Sequence, residues 1–407
     1  MKDYIKIDKI EKIDNKVKIT FHTSETLQKL FNTFEFWVEY DLKIDDMDNS
    51  ILIIPFIANI LPISWITNSK IIVDDLDRNF YNSIESFKNG YVNMYPNVTF
   101  FDTKIEYNNL VLNNKTDKKT RAVLFSGGVD AYTTLYSHLE ENPLLITIWG
   151  ADIETYNNKA WGIMKNMCSD VGKKFNLPNQ FIKSNFKEFL NTKELNKLIV
   201  KSNDKWWHGF QHGIGLISLA APLCWVFNID ILYIASSYTK EDKNITCASY
   251  PTIDENIHFC NTDVIHDQFE LNRQQKIEKI AKIANEIKKY QLLHVCWENS
   301  SGNNCCKCEK CCRTMLGLLI ENESPENYGF EKVNGKFIKN RMYYYNNIDS
   351  ILYPIWKDMI NKYNINRKNN NYNKDIEWLA KFNVEKQHFM LKKFFRKVDG
   401  VIEKLKK

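Results

Sequence analysis

The segment from Arg121 to about Ile320 alternates between short apolar stretches typical of strands and longer stretches typical of helices. Its strand-like stretches are RAVLF, PLLITIWG, QFIKS and IDILYIASS. Helical stretches separate or follow them, beginning near residues 130, 159, 214 and 270. Strands that alternate with helices predict an α/β fold with a parallel sheet covered on both faces, whose ligands bind beyond the carboxyl ends of the strands.

The segments on either side have a different pattern. Residues 1–118 indicate an accessory α+β domain, because KVKITF and FEFWVEY alternate as strands do and DRNFYNSIESFKNGY is helical. Residues 119–320 form the α/β domain, and residues 321–407 form a helical, basic region. Its last stretch, KKFFRKVDGVIEKLKK, is interpreted as a solvated surface helix, with contact to tRNA, a membrane or an acidic partner as the alternative.

Charge and hydropathy exclude several classes of protein. A net charge of +5 over 407 residues suits an acidic ligand such as a nucleotide, but it is small for a nucleic-acid-binding protein. The start, MKDYIKIDKIEKID, lacks the apolar core of a signal peptide. The most apolar run, ILIIPFIANILPISWI, contains two prolines and an asparagine, so we expect buried strands or a core hairpin there. We therefore expect a cytoplasmic protein without membrane or nucleic-acid partners, whose ten cysteines are reduced thiols or metal ligands.

A glycine turn follows the strand RAVLF directly, in the string SGGVDA. Glycines let backbone N–H groups approach phosphate oxygens, and the amino terminus of the following helix adds unpaired N–H groups with partial positive charge. Ser126 offers a hydroxyl, and Asp130 is placed to hold the turn or to help bind Mg²⁺. A tight turn without a ligand is the alternative. Neither a Walker-type loop nor Gly-x-Gly-x-x-Gly occurs in the chain.

Cysteines are concentrated in CWENSSGNNCCKCEKCCRTM, where four of them have the spacing C-x8-C-x2-C-x2-C. Four thiolates in this arrangement can close a tetrahedral site, which is more often structural than catalytic. We expect structural Zn²⁺, with an iron–sulfur cluster as the alternative. Two further cysteines, Cys306 and Cys312, each adjoin one of the four and are expected to stay outside the site. The predicted ligands are Cys296, Cys305, Cys308 and Cys311.

The string SGGVDA after an apolar strand resembles the pyrophosphate-binding loop, Ser-Gly-Gly-x-Asp-Ser, of the N-type ATP pyrophosphatases. The resemblance implies a PP-loop core of the adenine nucleotide alpha hydrolase-like type. Members of this family cut ATP between its α and β phosphates and adenylate a substrate. Alanine replaces the final serine, which removes one hydroxyl donor, so we expect weaker phosphate binding. The ATP-binding residues implied by the loop are Ser126, Gly127, Gly128, Val129, Asp130 and Ala131.

The loop together with the cysteine spacing resembles 7-cyano-7-deazaguanine synthase and its relatives over about Arg121–Ile320. The words CEKCCRTM and the extra terminal regions are more similar to divergent relatives in bacterial gene clusters, among them anti-phage defence operons. The resemblance implies a carboxylate–amine ligase that adenylates 7-carboxy-7-deazaguanine, releases pyrophosphate and AMP, and forms an amide with ammonia or with an amine of a partner protein. It implies ATP, Mg²⁺ and structural Zn²⁺.

Polar residues at the ends of other strands are further candidates. Gly150 and Asp152 follow the second strand, where the base and ribose lie in this family, and a helix cap is the alternative for Asp152. Ser236 and Ser237 end IDILYIASS and are candidate substrate contacts or ordinary turn residues.

The stretch VIHDQFELNRQQK adds His266 and Asp267 as candidate substrate contacts. Arg273 and Lys276 lie three residues apart on one helical face and are the candidate catalytic cations that act with Asp130. A solvated face paired with a nearby glutamate is the alternative.

A histidine pair, His208 and His212, lies in WWHGFQHG. We interpret it as a loop-to-helix start beneath the nucleotide rather than as a metal motif. Two other functions remain open beside the ligase. One is tRNA modification by an adenylating enzyme, which predicts strongly salt-dependent tRNA binding. The other is a nucleotide-binding scaffold with a degenerate loop, which predicts ATP binding without pyrophosphate release.

Overall fold

The computed structural model describes residues 3–115, 119–242 and 245–386, so the basic stretch KKFFRKVDGVIEKLKK lies outside the described residues. Eleven strands are found in the described part of the chain. They are β1 Tyr4–Ile13, β2 Lys16–Thr23, β3 Glu35–Tyr40, β4 Lys70–Asp77, β5 Ile105–Val111, β6 Thr120–Leu124, β7 Leu144–Trp149, β8 Asn179–Ser184, β9 Ile229–Ala235, β10 His258–Phe259 and β11 Thr262–Asp267.

The α-helices of the same residues are α1 Glu25–Gln28, α2 Asn49–Leu52, α3 Ile54–Thr67, α4 Arg78–Met94, α5 Val129–Ser137, α6 Asn158–Phe175, α7 Thr192–Leu198, α8 His212–Leu219, α9 Ala221–Val226, α10 Pro251–Asp254, α11 Arg273–Ile287, α12 Glu309–Ile320, α13 Gly335–Asn340 and α14 Tyr353–Lys368. Short 3-10 turns occupy Leu139–Glu141, Val200–Ser202, Pro325–Tyr328, Ser350–Leu352 and Lys374–Lys381, and π turns occupy Trp207–Gln211 and Arg341–Tyr345.

All the strands belong to one sheet, in the order β10-β11-β9-β6-β7-β8-β3-β2-β1-β4-β5. The five strands from β11 to β8 run parallel to one another, which confirms the predicted α/β fold with a parallel sheet. The chain moves from β6 outward to β7 and β8, and then returns to place β9 on the other side of β6. A sheet of this kind has its crevice at such a switch point, beyond the carboxyl ends of the strands. The loops after β6 and β9 are therefore neighbours.

The strands of the first segment continue the same sheet. β3 pairs antiparallel with β8, with Val38 opposite Ser184, and the sheet then extends through β2, β1, β4 and β5. One apolar core includes Phe36 of β3 together with Ile182 of β8 and Leu232 of β9, so the two segments bury a common interior.

The prediction of strands or a hairpin in ILIIPFIANILPISWI is wrong. Most of this run forms α3, in which every residue from Ile54 to Trp65 is buried. A helix that is buried all round has no apolar and polar face, so its sequence has no 3.6-residue period, and a continuous apolar run does not distinguish it from a strand. Pro55 is tolerated because it lies in the first turn, where its missing N–H has no helical partner.

A second core lies on the other face of the sheet and unites α5, α6 and α11 with the cysteine-rich segment and α14. Here α14 packs against α11 and α12. In the described residues one helical stretch, Trp207–Val226, is long and apolar enough to cross a membrane, but 78% of its apolar window is buried inside the protein. This stretch therefore has the character of a core helix.

Candidate functional site

The glycine turn occupies the loop between β6 and α5. Gly127 has φ +69°, a left-handed conformation that glycine adopts without strain. Gly128 is the N-cap of α5, and no side chain caps this helix end. The first N–H groups of α5 thus lack a side-chain acceptor, as expected where a helix amino terminus receives an anion.

A cavity of about 320 Å³ opens at this loop, at the carboxyl ends of β6, β7 and β9. A volume of this size lies at the lower end of the range of small-molecule sites, which is about 300–1,000 Å³. The cavity thus lies both at the switch point of the sheet and beside the glycine turn. Of the site residues predicted from the sequence, those that line it are Ser126, Gly128, Val129, Asp130, Ala131, Asp152, Ser237, Arg273 and the predicted metal ligand Cys296.

The three candidate catalytic residues are in direct contact. The Asp130 carboxylate accepts hydrogen bonds from Nη2 of Arg273 at 2.8 Å and from Nζ of Lys276 at 3.2 Å. Burial by itself would raise the pKa of Asp130, but the charges of Arg273 and Lys276 outweigh it and hold that pKa below its ordinary value. Asp130 is therefore an anion between two cations. Both of its oxygens are engaged, which favours holding the turn over binding Mg²⁺.

Lys276 lies behind the cavity wall rather than on it. Its side chain is buried, and its Nζ also donates to the backbone oxygen of Ser236 at 2.5 Å. Burial lowers the pKa of Lys276, and the charge of Asp130 offsets this in part. Lys276 therefore ties the end of β9 to the glycine loop, while Arg273 is the cation that lines the cavity.

The other predicted residues are placed around the site without lining the cavity. Gly150 directly follows β7 with φ +112°, and a side chain there would collide with the backbone oxygen of Ser184. His266 is buried in β11 and pairs with Asp254 at 2.8 Å. Asp267, at the end of the same strand, pairs with His138 at 3.1 Å. The strand β11 was not predicted, because its sequence TDVIHD alternates too weakly to indicate a strand.

Sequence analysis missed two cations of this cavity, Lys310 and Arg313. Both belong to α12, which begins between two of the clustered cysteines. Arg313 is buried, and its Nε pairs with a carboxylate oxygen of Glu309 at 3.1 Å. Lys310 and Arg313 are three residues apart in CEKCCRTM, and residues with this spacing share one face of a helix. This spacing is the sequence feature that could have predicted a pair of cations at the site.

Two buried nitrogen atoms near this cavity have no hydrogen-bond partner within the described chain. They are Nε2 of His294 and Nε of Arg273, and both residues line the cavity. His294 is held in place by its backbone N–H, which donates to the oxygen of Gly127 at 2.8 Å. Buried polar atoms are rarely left unpaired in folded proteins, and these two nitrogens are available to a polar ligand in the cavity.

The four predicted cysteine ligands come together. Their sulfur atoms all lie within 4.8 Å of one another, with Cys296 and Cys308 at 4.0 Å and Cys305 and Cys311 at 3.9 Å. Tetrahedral Zn²⁺ with Zn–S bonds of about 2.3 Å requires sulfur atoms about 3.8 Å apart. Backbone N–H groups of Cys308 and Cys311 point at the sulfurs three residues earlier, at 3.2 and 3.4 Å. The cluster can therefore hold a metal ion such as zinc.

Cys306 and Cys312 lie outside this group, as expected. Cys306 accepts a hydrogen bond from the backbone of Glu331 at 3.2 Å, and Cys312 is buried beside Asn346. The four-sulfur group holds the start of α12, and that helix carries the two cations into the cavity. A structural metal there would thus position charged groups of the candidate active site.

Comparison with known proteins adds no assignment, since no protein-family model and no curated protein matches the chain.

Proposed function

We propose that the protein uses ATP to adenylate a carboxylate and then transfers the acyl group to an amine, with formation of an amide. The observation that carries this proposal is the convergence of an uncapped helix terminus and three cations on one cavity. The cations that line it are Arg273, Lys310 and Arg313, against the carboxylates Asp130 and Asp152. Among the lysine, arginine, aspartate and glutamate residues of the lining, cations thus exceed carboxylates by one, which suits an anionic ligand such as a polyphosphate.

The two chemical steps follow from leaving-group chemistry. A carboxylate oxygen attacks the α-phosphorus of ATP, the bond to the β-phosphate oxygen breaks, and pyrophosphate leaves. The amine nitrogen then attacks the acyl carbon, the bond to the AMP oxygen breaks, and the nitrogen loses a proton. Cations and backbone N–H groups near the glycine turn would stabilise the charge that develops on pyrophosphate. Mg²⁺ would arrive with ATP and neutralise the same charge.

The apolar wall of the cavity suits a planar ring. Trp161 lines the cavity and stacks on Trp149, with ring centroids 5.0 Å apart, and Ile146 and Met164 complete this side. Asp152 is exposed at the opening and can accept from a ribose hydroxyl. On the strength of the motif resemblance, we propose 7-carboxy-7-deazaguanine as the acid, and ammonia or an amine of a partner protein as the acceptor.

The test is pyrophosphate release from ATP and Mg²⁺, with and without 7-carboxy-7-deazaguanine and ammonia. The proposal predicts release that depends on the acid and is accompanied by AMP. ATP binding without release for any of a panel of acids would contradict it and favour a nucleotide-binding scaffold. Release that requires tRNA and falls steeply with salt would favour tRNA modification instead.

A further inference from the structure

A cluster of titratable side chains adjoins the cavity on the side of α8. His212, the first residue of α8, lines the cavity, and its Nδ1 lies 3.8 Å from Sγ of Cys247. Cys247 is 1% exposed and does not line the cavity. The imidazole therefore stands between the sulfur and the cavity. Its ring also contacts that of Trp207, edge to face at 5.1 Å, and this contact helps to fix its orientation.

A second histidine, His208, precedes His212 by four residues. Nδ1 of His208 pairs with Asp204 at 2.9 Å, and Nε2 lies 3.2 Å from the hydroxyl of Tyr238. The other oxygen of Asp204 accepts from Tyr95 at 2.8 Å and from Thr246 at 2.9 Å. Asp204 is thus held by three side chains. Its hydrogen bond raises the pKa of His208 to about 10, with a further contribution from the sulfur of Cys247.

The charge of the cluster is consistent with a thiolate. Burial by itself would raise the pKa of Cys247, but the neighbouring His208 and His212 bring it down to about 6. When the sulfur is an anion, it can only accept the hydrogen bond from Nδ1–H of His212, and the lone pair of the ring is then on Nε2, as in Ser-His-Asp triads.

These contacts do not make a metal site. Among the described residues only the four clustered cysteines, at the start of α12, have the geometry of a metal group. Both ring nitrogens of His208 already have partners. Because Cys247 does not line the cavity, its sulfur is not placed to attack a substrate, and His212 is the member of the pair that can exchange a proton with one.

We propose that His212 is the general base of the amine-transfer step, and that Cys247 is its positioning residue. The inference rests on the proposed function. As the amine nitrogen forms its bond to the acyl carbon and the bond to the AMP oxygen breaks, Nε2 of His212 accepts the proton that the nitrogen loses. Sγ of Cys247, 3.8 Å from Nδ1, accepts the hydrogen bond of Nδ1–H and stabilises the imidazolium that forms. Adenylation precedes this step and does not use His212.

The experiment separates the two steps in the full-length, zinc-loaded protein. Acid-dependent exchange of labelled pyrophosphate into ATP reports adenylation, and a single turnover with ammonia reports amide formation. For His212→Asn we expect amide formation to slow by about 10²–10⁴-fold relative to exchange, the usual range for general base catalysis, whereas a role confined to nucleotide binding predicts that both steps slow equally.

Cys247→Ser and Cys247→Asp form the decisive pair. Serine matches the size of cysteine but is neutral, so we expect amide formation to slow by at least about tenfold. Aspartate restores an anion, so we expect recovery toward the wild-type rate, as the electrostatic role requires. A purely structural role predicts the reverse order, with serine tolerated and aspartate harmful. That reverse order would overturn the inference, as would a thioester trapped on Cys247.

The controls distinguish failure of the proposed function from failure of the role assigned to His212 and Cys247. Zinc content and thermal stability of each variant show whether it is folded. If the wild type exchanges pyrophosphate but all three variants form the amide at the wild-type rate, the inference is overturned and the proposed function stands. A wild type without exchange overturns the proposed function, and the inference falls with it.

Discussion

The carboxylate of Asp130 lies 2.8 Å from the guanidinium of Arg273, across 143 residues of sequence. Asp130 is in the first turn of α5 and Arg273 is the first residue of α11. The pair therefore joins two helix amino termini at the edge of the sheet, and it fixes a cation beside the glycine turn. Its removal has both a structural and a chemical consequence.

Replacement of Asp130 by Asn is expected to lower acid-dependent pyrophosphate release by at least about 100-fold, because Arg273 and Lys276 lose the anion that orients them. It should also destabilise the fold, because the buried ammonium of Lys276 would lose its charged partner. Pyrophosphate release and urea denaturation measure the two effects. Asp170→Asn is the matched control, because Asp170 is in an exposed ion pair with Lys173. Equal activity of the two variants would contradict the role of Asp130.

Replacement of Ala131 by Ser is expected to strengthen ATP binding. Ala131 lines the cavity in the first turn of α5, where the resembling loop has a hydroxyl. One added hydrogen bond contributes about 0.5–1.5 kcal/mol, which corresponds to an affinity about 2–10-fold higher. Calorimetric titration with ATP measures the change. Unchanged or weaker binding would show that this position does not face the phosphates.

Replacement of Lys310 by Gln tests the cation that the sequence analysis missed. We expect ATP affinity to fall by about tenfold, equivalent to about 1.4 kcal/mol, because a charged donor to phosphate is lost. Lys282→Gln is the control, since Lys282 is an exposed lysine of α11. Zinc content is measured in parallel, so that a loss of metal is not mistaken for a loss of contact. Equal ATP affinity of the two variants, with zinc retained, would place Lys310 outside the phosphate site.

Replacement of Cys308 by Ser is expected to remove bound zinc and to lower the melting temperature. A decrease of about 3 kcal/mol in the free energy of unfolding would lower the melting temperature of a domain of 150–250 residues by about 6–12 °C. Cys306→Ser should retain zinc, because Cys306 lies outside the four-sulfur group. Elemental analysis and thermal denaturation of both variants provide the measurement. Zinc retained by the Cys308 variant and lost by the Cys306 variant would contradict the assignment.

His138 is expected to make stability depend on pH. Burial by itself would lower its pKa, but hydrogen bonds with Asp267 and Glu141 raise it above the ordinary value of about 6.5. A raised folded-state pKa gives a stabilisation that is fully present below about pH 6.5 and is lost as the pH rises through the folded-state value.

The stability gap between the wild type and His138→Gln should therefore be largest near pH 6 and should shrink toward pH 9. Thermal denaturation across this range measures it. A gap that does not vary with pH would show that His138 is not protonated in the fold.

Much of the architecture was readable from the sequence. RAVLF, PLLITIWG, QFIKS and IDILYIASS form β6, β7, β8 and β9 as predicted, and their order with the intervening helices implied the parallel sheet. The glycine turn and the cysteine spacing were equally local signals. In each case a few neighbouring residues carry the constraint: periodicity, a backbone that needs glycine, or loops short enough to bring sulfur atoms together.

The sequence by itself thus determined the order of the elements and the two local motifs of this protein. Only the tertiary structure decided that β3 pairs with β8, that α3 is a helix, that Lys310 and Arg313 reach the cavity, and that Cys247 lies beside His212. The physical reason is the range of the interactions. Three of these features join residues far apart in the chain, and the helix α3 is buried from all sides. Neither a distant contact nor burial from all sides produces a periodic pattern of apolar residues in the local sequence.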